Sequence, residues 1–176
     1  MTESTSRFHS VEGYPLDSGR VSLATYRLLS HFSASKSIAD LCIPGPDCPF
    51  SGLRDEHEQA EIAHLLIEIA TLVRIAQDSL HHNSPDVAAA LPQANVGTLR
   101  ESESSQRRTQ LGLRDACNKI IHAKDITFDV RREEKWYARY LMPRVFLYGT
   151  FRREHWKATL KIRPFCAEVF ELCRIT

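Results

Sequence analysis

The chain has 176 residues, of which 43% are hydrophobic and 26% charged, and carries a formal net charge of +1 at pH 7. This length suits one domain with a loose arm, and the balance of apolar and charged residues excludes a wholly disordered chain. The longest apolar stretch, Ile62 to Ala76, is interrupted by His64, Glu68 and Arg74, which argues against a membrane span.

The small net charge hides a division. Residues 1–106 carry 7 Lys+Arg against 14 Asp+Glu, and residues 107–176 carry 16 against 8. Such a split fits either a basic surface for an acidic partner or two halves that attract each other. The five cysteines form no CxxC pair and no zinc-ligand spacing. Residues 1–20 lack the apolar core of a signal peptide. Together these features predict a cytoplasmic protein with reduced, free thiols.

In chain order, residues 1–19 are rich in Ser, Thr and Gly and read as an arm, with one α+β domain over 20–176. Val21, Leu23, Ala24, Leu28, Leu29 and Phe32 predict a short helix over 20–33. Residues 34–53, with their prolines and glycines around Cys42 to Gly52, read as a structured loop. Residues 54–82 give the strongest helical pattern, with Ile62, Leu65, Leu66, Ile69, Leu72, Val73, Ala76 and Leu80 on one wide stripe and Asp55 as its expected cap. Residues 83–105 read as a linker inside the domain, with a helical turn at Val87–Leu91. A helix is expected over 107–123.

The pattern then changes period. Ile126–Val130 alternates like a strand, as do Val145 to Phe151 and Trp156 to Ile162. Arg152–His155 reads as a four-residue hairpin turn between the last two. Pro164 opens a closing helix carrying Phe165, Cys166, Val169, Phe170 and Cys173. The expected fold is therefore α+β: a mainly helical body of antiparallel helices, a C-terminal β-hairpin or small antiparallel sheet, and a closing helix.

Two constellations carry chemistry. On the helix over 107–123, Arg114, Asn118 and His122 stand at i, i+4 and i+8 and share a sector of roughly 80°. Leu113, Ala116, Cys117, Ile120 and Ile121 form a separate apolar stripe. The segment Cys117-Asn118-Lys119-Ile120-Ile121-His122 resembles the signature helix of HEPN domains, small helical proteins that include metal-independent ribonucleases of toxin and defence systems. That resemblance implies a HEPN-like core, an RNA partner, a homodimer with a composite site, and His122 acting near a 2′-hydroxyl. The family's arginine position holds Cys117 here, and Arg114 one turn earlier is the candidate substitute, its guanidinium suited to phosphate. Arg114, Asn118 and His122 are thus the candidate catalytic residues.

The second constellation is the basic half. Arg131, Arg132, Arg144, Arg152, Arg153 and Lys157, interleaved with Trp136, Tyr137, Tyr140, Tyr148 and Trp156, suit single-stranded nucleic acid through phosphate contacts and stacking. The same residues also fit a sheet whose aromatics are core and whose charges are solvated. Glu61 and His64 form an ExxH half-motif, but the chain has no second ExxH, so no metal and no cofactor is expected. The sequence therefore predicts an RNA- or nucleotide-binding HEPN-like protein with metal-independent ribonuclease chemistry as its candidate activity. The alternative is a non-enzymatic interaction protein whose hairpin pairs with a partner.

Overall fold

A computed structural model describes residues 17–41, 48–83, 94–102, 107–132 and 139–175. Helix α1 spans Ser18–Asp40, and its first turn is closed by the Asp17 carboxylate, which accepts the Arg20 N–H at 3.0 Å. It buries Val21, Ala24, Leu28, Phe32 and Ala39, one face at helical spacing. Helix α2 spans Pro49–Asn83, about 50 Å of helix at 1.5 Å per residue. Both helices outrun their apolar patterns. Residues 34–40 continue α1, and Pro49 opens α2, because a first-turn proline gives up only an N–H that would lack a helical partner. Asp55 accordingly lies inside α2 and does not cap it. Ser18 and Gly19 belong to α1, and residues 1–16 lie outside the described residues, as does the helical turn expected at Val87–Leu91.

The stretch read as a linker holds a strand. Strand β1 spans Gly97–Arg100 and β2 spans Thr109–Leu111, and they pair antiparallel. Helix α3, Leu113–Ile121, starts straight after Gly112, so the helix expected from residue 107 loses its first turn and a half to β2. Three- and four-residue strands carry too few alternations to register in a sequence pattern; they form because neighbouring strands satisfy their backbone. Strands β3 (Asp125–Arg132), β4 (Arg139–Phe151) and β5 (Glu154–Lys161) follow, and helix α4 (Ile162–Ile175) begins where β5 ends.

The sheet has the order β2-β1-β5-β4-β3, with every neighbouring pair antiparallel. β1 packs closely on the central strand β5 at Gly97, where a side chain would sit 2.1 Å from the Thr159 carbonyl oxygen. The β4–β5 turn has two residues, Arg152 and Arg153, and not four; Glu154 and His155 are already paired to Phe151 and Thr150. Both turn residues have positive φ, 47° and 73°, as a two-residue turn matched to strand twist requires. The β3–β4 ladder is irregular between Phe128 and Val130, and Pro143 sits in that irregular stretch, where its missing N–H breaks no ladder bond.

One face of the sheet is covered by helices. Leu141, Val145, Leu147, Trp156, Ala158 and Leu160 point into a core shared with the stripes of α1, α2, α3 and α4. Each fully buried Leu-sized side chain in that core contributes about 1.5–3 kcal/mol. The result is an α+β fold with a helical body. No described helix is long and apolar enough to cross a membrane.

Candidate nucleic-acid interface

Because β-strand side chains alternate, the residues between the core positions face the other way. Among the described residues, that second face is uncovered. Register sets out its rows. One row runs Asp125, Tyr148, Lys157, Arg100 across β3, β4, β5 and β1. The next runs Thr127, Phe146, Thr159, Thr98, Gln110 and reaches β2. Arg144 and Lys161 are partners in a third row. All of these side chains are half-buried or exposed.

The Lys157 ammonium joins the first two rows. It lies 4.6 Å from the Phe146 ring centroid and 5.0 Å from that of Tyr148. A hydrogen bond with Lys157 lowers the Tyr148 phenol below its ordinary pKa; the Thr127 hydroxyl and the charges of Lys157 and Arg100 act in the same direction, against a smaller opposing effect of burial. The face thus carries two neighbouring rings and a local positive potential. Arg144 is held by Asp129, with Nη2 to Oδ2 at 2.6 Å and Nε to Oδ2 at 2.8 Å, so its charge is largely spent within the sheet.

The six basic residues singled out from the sequence fall in three places. Lys157, Arg144 and Arg131 are on the open face, Arg131 opposite Tyr140. Arg132 is at the end of β3, paired with Arg139. Arg152 and Arg153 form the exposed turn, with the Arg152 guanidinium 5.2 Å from the Phe151 ring. Of the aromatics, Tyr148 lies on the open face, but Trp156 points inward and is 4% exposed, lying against Gly149, where a side chain would meet its ring at 2.2 Å. Trp136 and Tyr137 lie outside the described residues. Sequence reasoning missed Phe146, Thr98, Arg100 and Gln110. The signal for Phe146 was present, since Val145 and Leu147 are core and alternation puts Phe146 beside Tyr148. The other three depend on β1 and β2.

Helix α3 holds the second set. Its Leu113, Ala116, Cys117 and Ile120 are buried, so it belongs to the helical layer, on the far side of the sheet from Phe146 and Tyr148. Arg114 donates through Nη2 to Asp78 of α2 at 2.6 Å, Asn118 is half-buried, and His122 is exposed at the helix C-terminus. Arg74 pairs with the same Asp78 at 3.1 Å. Cys117, at the family's arginine position, is fully buried, and burial pushes its thiol up to about 12. The structure therefore keeps Arg114, Asn118 and His122 together on one short helix and apart from the basic sheet face. Among the described residues no group of His, Cys, Asp and Glu is placed to hold a metal ion. No protein-family model, no curated protein and no solved structure matches this chain.

Proposed function

We propose that the open face of the sheet binds single-stranded nucleic acid, with RNA as the expected partner. The observation that carries this reading is the pair of half-buried rings on the open face, Phe146 and Tyr148, with the Lys157 ammonium 4.6 and 5.0 Å from their centroids. Every base has a π-face, so such rings accept unpaired bases regardless of sequence, while Lys157, Arg100 and Lys161 supply cations for phosphate. The likeness of residues 117–122 to the HEPN signature points to the same class of partner.

The test is affinity for single-stranded RNA as a function of salt. Neutralising three phosphates gives a slope near −0.7 for each, so affinity should fall about 20-fold between about 50 and 200 mM. Lys157→Glu and Arg100→Glu should each weaken binding and flatten that slope, and reversing Arg152 and Arg153 measures whether the turn extends the surface. Absence of saturable binding at low salt would remove this reading and favour a protein-binding face in its place.

A further inference from the structure

The open face is divided into lanes of different chemistry. Phe146 and Tyr148 are two residues apart on β4 and on the same side, which sets their rings about 6.7 Å apart along the strand. Bases in a duplex rise by about 3.4 Å. Two consecutive bases laid one on each ring are therefore drawn about twice as far apart as stacking allows, which an unpaired, extended strand permits and a duplex does not.

The two flanks of Tyr148 differ in sign, while Phe146 lies between Thr127 and Thr159. On the β3 side, Asp125 is the cross-strand partner of Tyr148, and the next acid along that strand, Asp129, is neutralised by Arg144. On the β5 side, Lys157 is the partner of Tyr148, and Arg100 of β1 is the partner of Lys157. Beside Tyr148, phosphate is repelled by Asp125 and attracted by Lys157 and Arg100. Lys157 stands where the two lanes meet, its ammonium within 5.0 Å of both ring centroids.

Resting on the reading that this face binds single-stranded nucleic acid, we propose that it holds one dinucleotide step of an unpaired strand, with two consecutive bases on Phe146 and Tyr148 and the phosphate between them on Lys157 and Arg100. In the free protein Lys157 caps both rings. When a strand arrives its ammonium moves from the rings to the phosphate, exchanging a weak cation–π contact at a solvated site for a charge-assisted one. Asp125, opposite Lys157 across Tyr148, fixes the side on which the backbone lies.

The experiment measures anisotropy at about 50 mM salt with the full chain and three probes: an oligothymidine of about eight nucleotides, an abasic strand with the same number of phosphates, and a duplex of the same length. Two stacked bases at about 1 kcal/mol each correspond to roughly 30-fold, so the abasic strand should bind at least that much more weakly, and the duplex should also bind more weakly than the single strand. Phe146→Ala and Tyr148→Ala should each weaken binding of the oligothymidine several-fold and leave the abasic strand unchanged. Lys157→Ala should weaken both. Phe146→Leu keeps apolar bulk without a stacking surface, so the same loss in that variant separates stacking from a folding defect. Equal binding of the oligothymidine and the abasic strand, or of single strand and duplex, would overturn the dinucleotide platform while leaving nucleic-acid binding in place. Failure of all three probes, and of an oligouridine of the same length, to bind would remove the nucleic-acid reading itself, and the platform with it.

Discussion

At the scale of single residues, the turn between β4 and β5 is the clearest departure from what local propensity favours. Arg152 and Arg153 both hold left-handed backbone conformations, φ 47° and 73°, which cost a residue with a side chain about 1 kcal/mol or more and a glycine almost nothing. Arg153→Gly is expected to raise stability by about 1 kcal/mol, read as a higher denaturation midpoint. A drop in stability would mean that the arginine side chain makes up for its backbone. In the sequence, the two strands flanking this turn were legible from alternation, but the turn length was not. Glu154 and His155 are polar and look like loop residues, and only their pairing with Phe151 and Thr150 makes them strand.

At the scale of elements, a buried polar network ties the two long helices to the start of β4. The Leu141 N–H donates to the Ser35 hydroxyl of α1 at 2.9 Å, Arg54 of α2 donates to the Arg139 carbonyl and to Asp55, and Glu58 lies between Ser35 and Arg54. Burial raises the Glu58 carboxyl above its ordinary value, outweighing the Ser35 hydrogen bond and the Arg54 charge, which act to lower it. The folded chain therefore binds this proton more tightly than the unfolded chain. The stabilisation is complete below the ordinary glutamate range and is lost as pH rises through the raised folded value. Glu58→Gln should flatten the stability–pH curve over that window, as measured by denaturation at a series of pH values. A slope unchanged by the substitution would show that Glu58 titrates normally. The helical stripes of α1 and α2 were readable from sequence, whereas this network joins residues more than eighty positions apart and leaves no periodic trace.

At the scale of the whole molecule, the sheet separates the two sets of candidate residues. Arg114, Asn118 and His122 lie in the helical layer, and Phe146, Tyr148 and Lys157 lie on the opposite face. His122→Ala and Arg114→Ala are expected to leave nucleic-acid affinity unchanged and to lower stability by less than about 1 kcal/mol, since His122 is exposed and the Arg114–Asp78 ion pair is half-solvated. Thermal melts and the anisotropy assay check both. Any RNA cleavage by the purified protein that survives His122→Ala excludes the α3 residues as its source. A fall in affinity in either variant would show that α3 and the sheet face act on one ligand.

Periodicity and composition are enough to specify the helical stripes, the three longer strands, the α+β class and the concentration of basic residues in residues 107–176. These features are periodic or compositional, and burial of one face against water requires nothing more. Which basic and aromatic side chains meet on the open face depends on the assembled sheet. Alternation already sets Phe146 on the face opposite Val145 and Leu147; packing brought the Lys157 ammonium over its ring and seated Trp156 against Gly149. The tertiary structure also placed Arg100 next to Lys157, through a four-residue strand whose identity depends on partners distant in the chain. Strand pairing is a long-range property, since each edge is satisfied by backbone groups elsewhere in the chain. A short strand therefore becomes visible only when its neighbours are in place.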